Sequence, residues 1–165
     1  MKTTLNQIRE HSPCTDGWKK LLDTLGKTKA DDEEVSIIQV LDSNGLDDAL
    51  WTLRAVKGRD KEIRLFAVWC ARQVQHLMTD QRSINALDVS EKFANGEATQ
   101  EELAAAGSAA WAAAGSAAGA AAGYAARDDA WNAAWNAAKA AAWDAAGYAQ
   151  EKELRRVCAA VESQP

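Results

Sequence analysis

Apolar positions recur along most of this chain at three- and four-residue intervals, the spacing that lays one stripe down the face of an α-helix. Thr4 followed by Gln7 reads as a capping box opening a short helix that carries Leu5 and Ile8. Asp16 is placed to cap Gly17 to Leu25, with Trp18, Leu21, Leu22 and Leu25 on one face and Gly26 as the stop. The acids Asp31 to Glu34 sit where a helix N-terminus favours negative charge, and Val35, Ile38 and Leu41 follow at helical spacing up to Asn44-Gly45. Leu46, Ala49, Leu50, Leu53 and Val56 mark another helix, closed by Gly58. The longest apolar-rich stretch, KEIRLFAVWCARQVQHLM, turns Ile63, Phe66, Ala67, Cys70, Val74 and Leu77 inward. Ile84, Leu87 and Phe93 belong to a further helix that stops at Asn95-Gly96, and Thr99 with Glu102 makes a second capping box. No segment combines β-alternation with strand composition, although VSIIQVL alone could be mistaken for one. The pattern predicts an all-α protein: antiparallel helix pairs with short loops, stacked in a solenoid-like array.

From Leu103 to about Tyr148 the stripe gives way to a four-residue repeat whose last two places are alanine almost throughout, with Asp129 the clear interruption. Alanine is the best helix former and a poor strand former, so the repeat is helical. Four residues overshoot one helical turn by roughly 40°, so a strict tetrad stripe spirals around its helix instead of facing one neighbour. An unbroken helix of this length would reach roughly 70 Å, longer than a small domain. A break is therefore expected at Gly115/Gly119/Gly123 or at Arg127-Asp128-Asp129. The expected organisation is an amphipathic helical region over residues 1–98 and alanine-rich helices over 99–165 packed on it as one compact domain. Glycines at one repeat position suit close approach of a second helix, and a tandem expansion that simply stays helical accounts for them as well. The uncharged GxxxG spacing at Gly115, Gly119 and Gly123 invites a membrane reading, but the stretch lacks Leu, Ile, Val and Phe after Leu103, so no membrane association is expected.

Charge narrows the function classes. The 165 residues include 19 Lys and Arg against 24 Asp and Glu, a formal net charge of -5. That balance argues against a phosphate-backbone binder, so no direct nucleic-acid partner is expected. The charge is uneven: Lys19, Lys20, Lys27 and Lys29 precede Asp31, Asp32, Glu33, Glu34, Asp42, Asp47 and Asp48, which run without an intervening Lys or Arg. Helix termini explain some of these acids. Read functionally, the seven form a patch that steers a basic protein partner such as a nuclease toxin.

Little points to catalysis. His76 and Asp80 are spaced for a pair on one helical face, but no nucleophile or oxyanion site accompanies them. There is no phosphate-cradling glycine loop, no GxSxG elbow and no metal-ligand spacing, so neither enzyme activity nor a cofactor is expected. Cys14, Cys70 and Cys158 are odd in number and widely spaced, which fits reduced thiols in the cytoplasm. The N-terminal MKTTLNQIREHSP has no apolar h-region of a secretory signal.

The segment from Leu46 to Leu154, with ALWTLRAV, GRDKEIRLFAVWCARQVQHLMTDQRSINALDVSEKFANGEATQEELAAA and the AAW and AAG repeats, resembles a family of bacterial and prophage immunity proteins, the alanine-rich, immunity-type-five-like group. The resemblance implies a small helical protein that neutralises a cognate toxin by binding it, and it brings no catalytic residues. Two other readings fit the same features. One is a phage-encoded inhibitor of a host defence system (an anti-CRISPR-like protein on an effector complex). The other is a helical scaffold that self-associates through its alanine repeat.

Overall fold

The chain opens with a strand. The computed structural model describes residues 1–73, 75–78, 80–110, 112 and 147–163. Its elements run β1 (Lys2–Thr4), α1 (Leu5–Glu10), α2 (Thr15–Thr24), β2 (Glu34–Ser36), α3 (Ile37–Asn44), α4 (Leu46–Thr52), α5 (Asp60–Gln73) and α6 (Gln81–Ala94), with helical residues also over 100–110 and 147–162. Two single 3-10 turns, Leu53–Ala55 and Gln75–Leu77, follow α4 and α5. The protein is all-α, and its only sheet among the described residues is a pair of three-residue strands.

That sheet departs from the sequence expectation. β1 and β2 pair antiparallel with Thr3 opposite Val35, and these two β-branched residues are both buried. The Thr3 hydroxyl donates to the Ala55 carbonyl at 2.7 Å, which satisfies both buried groups. Each strand runs directly into a helix through a capping box: Thr4 with Gln7 opens α1, and Ser36 with Gln39 opens α3. The first box was legible. The second displaces the expected helix start from Asp31–Glu34 to Ile37, because the Ser36 hydroxyl accepts from the Gln39 N–H and the Gln39 Oε1 accepts from the Ser36 N–H, a reciprocity the acids do not offer. The buried set shifts with it, to Val35, Ile37, Val40 and Leu41, leaving Ile38 half-buried.

Compactness divides the chain into two units, Met1–Asp60 with Glu151–Pro165, and Lys61–Gln150. The expected change at 98/99 is one of composition and falls inside the second unit, where Thr99 and Glu102 form the anticipated capping box. In the first unit α3 packs against both α2 and α4, and α1 packs against β1 and the Leu53–Ala55 turn. Gly45, at φ 98, lets α3 end and α4 begin on the same residue. The core is made of Leu5, Ile8, Val35, Ile37 and Val40, with Leu154, Cys158 and Val161 at i, i+4 and i+7 of the 147–162 helix. Arg155 ties that helix to Asp42 on α3. Cys158 is wholly buried and serves as a small core residue, and this burial pushes its thiol above its ordinary value.

The second unit is built differently. On α5, Phe66 and Val68 are buried, whereas the expected inward Ala67 is exposed and Ile63 and Cys70 are half-buried. The inward positions Val74 and Leu77 lie outside the described side chains. On α6, Ile84, Leu87 and Phe93 are all half-buried. Polar contacts join α5 to α6: Arg72 reaches Asp88 at 2.9 Å and Glu91 at 2.6 Å, and the Arg64 guanidinium lies 4.9 Å from the centre of the Phe93 ring. The expected breaks at Gly115/Gly119/Gly123 and Arg127-Asp128-Asp129 lie outside the described residues.

Candidate functional site

The seven acids of the expected patch are placed as follows. Asp31 and Glu33 both accept from Lys27 at 2.7 Å, and this ammonium holds the Asp31 carboxyl below its ordinary value. Asp32 accepts from the Asn6 amide at 2.9 Å, and Glu34 pairs with Lys2 across the sheet at 2.7 Å. Asp42 pairs with Arg155, and Asp47 is engaged in a contact of its own. Asp48 accepts from the Asn44 amide at 2.7 Å. At least four of the seven, Asp31, Glu33, Glu34 and Asp42, therefore have a cation of the same unit beside them, which compensates much of the charge that long-range steering would use.

Asp48 stands apart because of what surrounds it. It forms part of the wall of a cleft of about 80 Å³ between α2 on one side and α3 and α4 on the other. Trp18 and Leu21, at i and i+3 of α2, supply one wall, Val40 and Asn44, at i and i+4 of α3, a second, and Asp48 and Trp51, at i and i+3 of α4, the third. Of the residues lining the cleft, Asp48 alone carries a charge. Both tryptophans are half-buried.

Local chemistry holds this arrangement. The Asn44 amide donates to Asp48 Oδ2 and to the Gly17 carbonyl at 2.8 Å, while its own Oδ1 accepts from the Ser43 hydroxyl. One amide thus bridges α2 and α4. Gly17 leaves room for the approach: a Cβ there would stand 2.6 Å from Asp48 Oδ2, and the carboxylate would have to shift. α2 begins two residues earlier than expected, at Thr15, because the Cys14 thiol, not Asp16, accepts the capping bond, from the Gly17 N–H at 3.4 Å. Arg54 lies over the Trp51 ring at 4.5 Å, held there by its Nε, which donates to the Trp51 carbonyl at 2.9 Å.

The possible His76–Asp80 pair is not used. His76 belongs to a 3-10 turn, and Asp80 caps α6 and chelates Arg82, whose guanidinium and N–H together lower its carboxyl to about 2. No group of three His, Cys, Asp or Glu converges as metal ligands among the described residues. None of the helices among the described residues is long and apolar enough to cross a membrane.

Sequence reasoning placed Trp18 on the apolar face of its helix but did not single out Trp51. The signal was available: Asp48, Trp51 and Thr52 at i, i+3 and i+4 put one carboxylate and one indole on a single face. No family model, curated protein or solved structure matches the chain.

Proposed function

We propose that this chain acts in the cytoplasm as an immunity protein, neutralising a cognate protein toxin by binding it, and that the Trp18–Trp51 cleft is its anchoring surface. The observation that carries the reading is the cleft itself: two half-buried indoles and one carboxylate around a small apolar hollow. Tryptophan is enriched among residues that dominate binding energy, particularly where a side chain of the partner enters a pocket. The resemblance of residues 46–154 to immunity proteins supports the choice of a toxin as partner. None of Cys14, Cys70 and Cys158 is in a disulfide, which fits a reducing compartment.

Co-expression with the toxin encoded beside this chain tests the proposal. The expected outcome is restored growth and recovery of the two proteins as one complex. Growth arrest with no co-purification would overturn it. Trp51→Ala should weaken the complex by about 2 kcal/mol or more, the loss expected of a central anchor. An undiminished complex would remove the cleft from the interface.

A further inference from the structure

Resting on the partner-binding reading above, we infer that the cleft receives an arginine side chain of the partner, its guanidinium on Asp48 and its flat face and stem against Trp18 and Trp51. The argument is one of charge complementarity inside an apolar hollow. Among the described residues, the Asn44 amide is the sole donor to the Asp48 carboxylate, and no cation pairs with it. An ionised carboxylate accepts about four hydrogen bonds, so most of its capacity is left unused by the Asn44 amide. A purely apolar occupant would strip water from that carboxylate without replacing it, and an acidic occupant would oppose it. A cation with a long apolar stem satisfies both the carboxylate and the indoles.

Shape favours arginine over lysine. A planar guanidinium stacks on indole and donates two parallel bonds to a carboxylate, whereas an ammonium is a compact, strongly hydrated point charge. The hollow of about 80 Å³ suits the end of one side chain, since one water needs roughly 10–15 Å³ of such space. Trp51 already holds a guanidinium, that of Arg54, at 4.5 Å. Arg54 is exposed, tethered to the Trp51 carbonyl, and outside the lining of the cleft, so it leaves the approach to Asp48 open.

The test uses the full chain, labelled with nitrogen-15, and three short peptides: acetyl-Ala-Arg-Ala-amide and its norleucine and glutamate counterparts. The arginine peptide should shift the indole N–H signals of Trp18 and Trp51 in a saturable way. It should bind roughly tenfold more tightly than the norleucine peptide, the ratio expected of one charge-assisted hydrogen bond. The glutamate peptide should leave both signals unmoved. Asp48→Asn should reduce arginine to the norleucine level. Gly17→Ala is a second variant, because alanine suits the helix while its methyl displaces Asp48 Oδ2; it should lower arginine binding more than norleucine binding. Equal binding of arginine and norleucine, insensitivity to both variants, or no indole shift with any peptide would each overturn the inference. A chain that binds the arginine peptide but rescues no toxin sinks the immunity reading and leaves the cleft's chemistry standing. Toxin rescue without arginine preference does the reverse.

Discussion

The two units of this protein solve the same packing problem with different materials. In the first, Leu5, Ile37, Leu154 and Cys158 are wholly buried, and a short sheet with two capping boxes fixes where the helices begin. In the second, α6 buries none of its residues fully, and α5 and α6 are joined by Arg72 with Asp88 and Glu91 and by Arg64 on Phe93. Branched apolar side chains removed from water contribute about 25 cal/mol per Å². Half-exposed ion pairs contribute little each, about 0–1 kcal/mol. Local order in the first unit therefore rests on volume, and between α5 and α6 more on geometry.

The largest expected effect comes from cutting that volume. Leu154→Ala should destabilise the first unit by about 2–5 kcal/mol, the usual range for a fully buried leucine. The same cut at half-buried Leu87 on α6 should cost clearly less. Urea denaturation of both variants measures the difference, and equal losses would abolish the contrast. An intermediate effect is expected at the sheet. Thr3→Val keeps the shape but leaves the Ala55 carbonyl without its donor, a loss of about 1–3 kcal/mol by the same assay.

The smallest effect is one of pH and belongs to the second unit. The Asp80 carboxyl titrates near 2 in the folded chain against an ordinary 3.8, so the unfolded chain binds its proton more readily. The stability it contributes is present above about pH 4 and is lost as the pH falls through about 2. Asp80→Asn should flatten that part of the acid-unfolding profile, followed by the helix signal in circular dichroism. An unchanged profile would show that the Arg82 contacts do not persist in solution.

Much of the helical frame was legible because its signals are local. Thr4-Gln7, Thr99-Glu102 and the stop at Asn95-Gly96 act within one turn, and each is found where the residues place it. The strands were not legible as strands. Three residues are too few for an alternating pattern, and their stability comes from pairing between distant parts of the sequence, with Thr3 against Val35. A subtler signal was present. Thr-Thr-Leu-Asn-Gln-Ile from Thr3 and Val-Ser-Ile-Ile-Gln-Val from Val35 share a β-branched residue, a hydroxyl cap, an apolar residue, a glutamine and a second apolar residue in the same order. Equivalent residues meet at the sheet because an antiparallel pair places Thr3 and Val35 opposite one another. The cleft was legible only in pieces. Asp48 and Trp18 were both picked out, but nothing in a linear pattern sets α2 against α4, and the Gly17 gap that admits Asp48 is a property of two helices at once.

The first unit is assembled from both ends of the sequence, and this has a consequence for synthesis. Its first sixty residues leave the ribosome well before Leu154, Cys158 and Val161, which complete their core. At the usual pace of translation the delay is on the order of ten seconds. Throughout it the first sixty residues lack the segment that completes their unit, so a nascent chain has a window in which chaperones can engage it and the finished chain does not.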